Sequence, residues 1–228
     1  MFRGKKYKAL QESFDKSKEY DITSAIQLLQ KSDYKFDQTV EVHMNLGVDP
    51  KHADQMVRGN VVLPNGTGKD VRVIAFCKAP LDEEARAAGA IVVGADDLAE
   101  KIQGGWLDFD AVVASPDMMP VIGKIARVLG PRGLMPSPKA GTVTKDVGGV
   151  IKELKAGKIS YRVDKGSNVH APVGKLSFSE PQLNENIQAF IDSVIKAKPQ
   201  ASKGTYIKSL VLAGTMTPGV KLDMGMTR

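Results

Sequence analysis

The sequence predicts two domains: a split α+β domain assembled from both ends of the chain, and an inserted doubly wound, Rossmann-like α/β domain. Three observations lead there. From about Gly68 to Gly157, short apolar runs alternate with helical stretches. On either side of that block, apolar and polar residues alternate with a period of two. The charge also divides: residues 68–157 carry 12 Lys or Arg against 12 Asp or Glu, while the flanks carry the other 20 against 14. The expected boundaries are 1–67 with 158–228 for the split domain and 68–157 for the insertion.

Within the insertion the apolar runs are Val71 to Phe76, Ile91 to Val93 and Ala111 to Ala114. Helical stretches occupy Asp82 to Ala88, Asp96 to Gln103, Met118 to Leu129 and Asp146 to Leu154. Continuous apolar strands between helices belong to a sheet covered on both faces through right-handed crossovers. In the flanks, Val40, Val42, Met44 and Leu46 alternate with Glu41, His43 and Asn45. Ile159, Tyr161 and Val163 do the same, and Tyr206 to Leu212 does so less cleanly. That period marks strands with one buried and one wet face. One flank helix starts after Asp21, an N-cap, with Ile22, Ala25, Ile26 and Leu29 on one side. A second opens at Ser179 with Gln182 three residues on, the spacing of a capping box, and ends before Pro199. Strands and helices on both flanks would form an antiparallel sheet with helices on one face. Glycine at both crossings, Gly68 and Gly157, would permit a hinge, and an ordinary surface turn uses glycine just as readily.

Composition narrows the function classes. With 42% apolar and 25% charged residues, the chain has the material for packed cores. Its single cysteine, Cys77, lies in an apolar run and reads as a small buried hydrophobe in a reducing cytosol. Residues 1–20 lack the apolar core of a secretory signal, and the start Met-Phe-Arg-Gly-Lys-Lys reads as a basic arm. No apolar run is long enough to span a bilayer. The net charge of +6 resides entirely on the split domain, the footprint of a domain that meets phosphates beside one that does not.

Enzyme signatures are missing. Pro64 to Asp70 has the look of a phosphate loop but lacks the first glycine, Leu63 standing in its place, and Asp70 follows the lysine where Ser or Thr is required. No Gly-x-Gly-x-x-Gly follows a strand, and no nucleophile elbow is present. His43, His52 and His170 show no metal-ligand spacing with one another or with Cys77. The acidic pairs Glu83-Glu84 and Asp96-Asp97 sit at helix starts, where they favour the macrodipole. No catalytic residue, metal or cofactor is expected.

The segment Val128 to Thr142 packs three prolines and three glycines after a helix, a composition that implies an ordered long loop. Its run Gly-Pro-Arg-Gly-Leu-Met-Pro-Ser-Pro-Lys-Ala-Gly-Thr resembles the signature of the bacterial ribosomal protein L-one family. Further similarities are Lys35 to Val42, Val57-Arg58-Gly59 with Leu63 to Lys69, Trp106 to Asp110, and His170 to Lys175. The resemblance spans nearly the whole chain and implies a split two-domain fold.

It also implies function. Members of that family bind a helical junction of large-subunit rRNA, form a mobile stalk and help deacylated tRNA leave the exit site. Bacterial members repress their own mRNA, which mimics the rRNA site. The implied partners are large-subunit rRNA, exit-site tRNA, the chain's own operon mRNA and other ribosomal components. No membrane is involved; the protein is expected to be cytoplasmic, on the ribosome and monomeric away from it. Carried over by motif, the implied RNA contacts are Lys35, Phe36, Thr39, Glu41, Lys165, Gly166, Ser209, Thr215, Met216 and Thr217. Phe36 could stack on a base or ribose, or pack in a core. Thr39 could bond a 2′-hydroxyl, the group that separates RNA from DNA. Glu41 could accept from a base amine or ribose hydroxyl. Lys165 and Gly166 suit a turn approaching phosphate, which ordinary hairpins also use. Thr217 stands where the family has glycine, so its side chain either adds a contact or crowds the RNA. A free-standing translational regulator would use the same surface. A nucleotide-dependent enzyme would use residues 68–157.

Overall fold

The computed structural model describes residues 4–227. In chain order the elements are α1 (Lys5–Glu12), α2 (Ile22–Gln30), β1 (Thr39–Leu46), β2 (Arg58–Val62), β3 (Val73–Phe76), α3 (Leu81–Ala87), β4 (Val92–Gly94), α4 (Asp96–Gln103), β5 (Ala111–Ala114), α5 (Met119–Leu129), α6 (Val147–Lys155), β6 (Lys158–Arg162), β7 (Asn168–Lys175), α7 (Glu180–Lys196), β8 (Ile207–Gly214) and β9 (Val220–Lys221). They fall into two compact units. One takes the chain up to Gly68 together with everything from Ile159; the other is Lys69–Lys158. Beside the points of passage, Gly68 and Gly157 adopt left-handed φ of 69° and 103°, which glycine alone reaches without strain.

The Lys69–Lys158 unit carries a parallel sheet ordered β4-β3-β5. All four residues of β3 are buried. Their alternation assigns the two faces: Ile74 and Phe76 pack with Leu98 and Ile102 of α4 and Ile122 and Ile125 of α5. Val73 and Ala75 pack with Ala85 of α3 and with Val147 and Ile151 of α6. This is the doubly wound arrangement expected, with helices on both faces. Asp82, Glu83 and Glu84 occupy the first turn of α3, and Asp96 and Asp97 that of α4, favourable to the helix dipole. Cys77 is buried. The proline-rich loop is tied across itself: the Ser137 N–H donates to Thr142 Oγ1 at 2.8 Å, and the Thr142 N–H donates to the Ser137 carbonyl at 3.2 Å.

The other unit is built on an antiparallel sheet ordered β7-β1-β8-β9, with β2 and β6 as a separate pair. β1 alternates half-exposed and buried residues along its whole length. Val40, Val42, Met44 and Leu46 face the core with Val169, Ala171, Val173, Leu210 and Leu212. α2 and α7 cover that face with Ile22, Ile26 and Leu29, and with Leu183, Ile187, Phe190 and Val194. Each fully buried side chain of this size stabilises the fold by about 1.5–3 kcal/mol. Both helix starts form as expected: Asp21 accepts from the Ser24 N–H at 3.3 Å, and Gln182 Oε1 accepts from the Ser179 N–H at 3.1 Å. The alternate residues of β1, Thr39, Glu41, His43 and Asn45, lie half-exposed on the opposite face.

Several elements carry no clear periodic pattern in the sequence. β7 contains Pro172 and Gly174, which hid its alternation; as an edge strand it tolerates proline. The register slips there, with Val40 opposite Gly174 and Glu41 opposite Pro172. β2, β9 and α1 are likewise too short or too polar to show a period in the sequence. The basic arm expected at the start lies outside the described residues for positions 1–3, and Lys5 and Lys6 open the helix Lys5–Glu12.

Candidate nucleic-acid interface

The open face of the four-stranded sheet is built from the polar half of each alternation. Three ranks cross it: Pro172, Glu41 and Ala213; His170, His43 and Val211; Asn168, Asn45 and Ser209. Such side chains are small or planar, so a flat ligand can approach the strands closely. Beyond Val211 lies Lys221 on β9.

At the start of β1 the implied contacts converge. The Thr39 N–H donates to Thr215 Oγ1 at 3.1 Å, and the Thr215 N–H donates to the Thr39 carbonyl at 3.1 Å. Lys175 Nζ donates to Thr39 Oγ1 at 2.8 Å, which leaves the Thr39 hydroxyl hydrogen for an outside acceptor. Met216 is 49% exposed and Phe36 50% exposed, so Phe36 is a surface aromatic and not a core residue. Its ring stands 6.1 Å from that of Tyr34. Lys35 is exposed and Glu41 half-exposed.

Gln38 organises this cluster and was not singled out in the sequence. It is 1% exposed. Its Nε2 donates to Ser32 Oγ at 2.8 Å, and its Oε1 accepts from the Met216 N–H at 2.9 Å. Its backbone carbonyl accepts from the Leu176 N–H at 2.9 Å. One buried amide thus fixes the Thr215-Met216 turn against the start of β1. Only its place before an alternating strand could have signalled this.

Thr217 points the other way. It is 9% exposed, and its Oγ1 accepts from the Gly214 N–H at 2.7 Å. The threonine in place of the family glycine therefore closes the turn from inside, and its hydroxyl does not line the open surface.

Lys165, Gly166 and Ser209 lie at the far end of the sheet, roughly 20 Å along β1 from Thr39 by strand rise. Asp164 Oδ1 accepts from the N–H groups of Asn168 and Gly166 at 2.7 and 2.8 Å; the Asn168 contact leads in holding that carboxyl below its usual range. The left-handed residue of this turn is Ser167, with φ of 64°. Asn45 Nδ2 donates to Asn168 Oδ1 at 2.8 Å and to the Gly166 carbonyl at 3.4 Å, tying the turn to the rank that includes Ser209. Thr39, Glu41, Thr215 and Met216 therefore gather at one end of the sheet, with Lys35 and Phe36 exposed just before β1; Lys165, Gly166 and Ser209 lie at the other end, and Thr217 is turned inward.

The rank between the clusters holds a histidine pair. His43 Nδ1 and His170 Nδ1 are 2.7 Å apart, although 127 residues separate them in sequence. Burial first, and then the His170 charge, push the His43 imidazole below the usual histidine range, with Glu41 opposing. Among the described residues, no group of three or more His, Cys, Asp or Glu side chains is placed to hold a metal ion, and no helix is long and apolar enough to cross a membrane.

A split α+β unit interrupted by a doubly wound one, with a sheet face of amides, imidazoles and small side chains bordered by threonines and lysines, has the makings of a binding surface. The Ribosomal protein L1p/L10e family matches residues 28–218 of the 228. The chain belongs to that family. It is a structural protein of the large ribosomal subunit that binds rRNA and is located on the ribosome; the family is not one of enzymes.

Proposed function

We propose that the open face of the β7-β1-β8-β9 sheet is the surface that holds the rRNA. The observation that carries this reading is convergence. Segments around positions 36–41, 164–175 and 209–216 meet on one face, and the flanking sequence that builds it carries the entire charge excess of +6. Lysines supply salt-dependent attraction to phosphate, and the threonine and asparagine groups read ribose hydroxyls and backbone shape. Lys35, Phe36, Thr39, Glu41, Thr215 and Met216 form one contact cluster; Lys165, Gly166 and Ser209 form the other. Residues 68–157, balanced in charge, belong to a separate inserted domain that stays off this RNA.

The family resemblance extends the reading. The chain forms the mobile stalk, assists release of deacylated tRNA from the exit site, and represses translation of its own mRNA. One face serves rRNA and mRNA, so the two compete. Away from the ribosome the protein acts as a monomer, without a cofactor. The test is a filter-binding titration of the full chain against an rRNA fragment containing the stalk junction. Ser209→Trp plants a bulky ring in the face and should abolish retention. Ile91→Trp, at a position 54% exposed in the other unit, should bind as the parent does. Equal binding by both variants would refute the assignment.

A further inference from the structure

Lys175 reaches the open face through a slip in register. His170 and Pro172 lie opposite His43 and Glu41 on that face. Strict alternation from there would send Gly174 outward and turn Lys175 into the core. The pairing shifts between Val40 and Glu41 instead: Glu41 meets Pro172, Val40 meets Gly174, and Thr39 meets Lys175. Val173 and Gly174 are both buried, so the extra residue is taken up inside and Lys175 emerges beside Thr39. Such irregularities recur near functional sites, where they re-aim a side chain.

The stem of Lys175 is held as well. A Cβ on Gly68 would stand 2.8 Å from Lys175 Cγ and 2.9 Å from the Phe178 ring, so the glycine leaves the lysine its path. The ammonium donates to Thr39 Oγ1 at 2.8 Å, and two of its three N–H bonds are left over. The residue is half-buried, and among the described residues no carboxylate pairs with it. Glu41, the next open-face residue of β1, sits 3.8 Å from His43 Nε2. Asp37 accepts from the Ser177 N–H and hydroxyl. A partly desolvated ammonium without a counter-charge is costly, and an arriving anion relieves that cost. Because Thr39 Oγ1 already accepts from the lysine, its own hydrogen is turned outward. Hydroxyl and ammonium thus present donors side by side.

We infer that Lys175 is a further RNA-binding residue of this face: together with the Thr39 hydroxyl it holds one phosphate of the rRNA backbone. The inference rests on the face being the RNA surface, as proposed above. A phosphate brings both the acceptor oxygens and the missing negative charge, whereas a ribose hydroxyl brings no charge. The contact fixes the position of the backbone and reads no base.

The experiment is filter binding of the full chain to the stalk-junction rRNA fragment across a salt series, with Lys175→Gln and Lys175→Arg beside the parent. Lys175→Gln keeps a donor toward Thr39 but removes the charge. It should bind roughly tenfold more weakly at low salt and lower the slope of log affinity against log salt by about 0.7–0.9, the share of one phosphate. Lys175→Arg should keep the parent's slope. Urea midpoints of both variants should match the parent's, since the lysine has no acidic partner to lose. An unchanged slope in Lys175→Gln, with or without a fall in its urea midpoint, overturns the inference. The RNA face still stands if Ser209→Trp abolishes retention in the same series, and parent-like binding by Ser209→Trp overturns both. Should Lys175→Gln fail to fold, amine acylation of the parent decides: RNA should slow modification of Lys175 severalfold, and equal rates with and without RNA overturn the assignment.

Discussion

Thr39 and Thr215 hold each other by reciprocal bonds across 176 residues of sequence: Thr215 Oγ1 takes the Thr39 N–H at 3.1 Å, and the Thr39 carbonyl takes the Thr215 N–H at the same distance. The hydroxyl is exposed yet already committed, so its position is set before any ligand arrives. Replacing Thr215 with valine removes the acceptor and leaves the Thr39 N–H to the RNA side. The expected cost is roughly 1–3 kcal/mol of rRNA affinity, whereas Thr215→Ser should bind within a few tenths of the parent. Filter binding checks both, and equal losses for valine and serine would remove the hydroxyl from the account.

Gln38 joins Ser32 to the Met216 backbone from a buried position. Gln38→Leu keeps the volume but orphans both partners. Urea unfolding should show a loss of about 1–3 kcal/mol, with rRNA affinity falling at denaturant-free conditions where the variant is still folded. A variant as stable as the parent would mean that water replaces the amide.

For Thr217, with its hydroxyl spent on the Gly214 N–H, the expected phenotype is structural. Thr217→Val should lower unfolding stability by about 1–3 kcal/mol. A fall in rRNA affinity at unchanged stability would instead place that hydroxyl on the RNA.

Salt dependence separates the lysines. Lys35 and Lys165 are exposed at opposite ends of the face. Replacing either with alanine should reduce the slope of log affinity against log salt by about 0.7–0.9 if it neutralises one phosphate. An unchanged slope removes that lysine from the contact.

In the Lys69–Lys158 unit, Arg72 at 2.9 Å and Lys69 at 2.6 Å donate to Asp110 and hold its carboxyl well below the usual carboxylate range. A carboxyl depressed in the folded state stabilises it at pH above the unfolded value of about 3.9, and that stabilisation fades as pH falls through the folded value. Asp110→Asn should therefore lower Tm at neutral pH, with the difference from the parent shrinking in acid. A difference constant with pH would contradict the ion-pair origin.

Much of this was legible in the chain because local patterns carried it. β1 shows its faces in every second residue, α7 announces itself by Ser179 and Gln182, and the apolar runs of β3 and β5 require two covering layers. β7 escaped because Pro172 and Gly174 break the propensity that register with β1 overrides. The site was legible through motifs and not through pattern. Phe36 and Thr217 could each be read two ways until burial separated them, one outward and one inward. The histidine pair and the Gln38 bridge had no sequence signal, since each depends on which strand lies beside which.

The most direct test of the account is photo-crosslinking of the full chain to the stalk-junction rRNA fragment, with the crosslinked peptides mapped by mass spectrometry. Crosslinks at Phe36 and Met216 and in the Asp164 to Asn168 turn are predicted. Crosslinks confined to Lys69–Lys158, with the sheet face untouched, would contradict it.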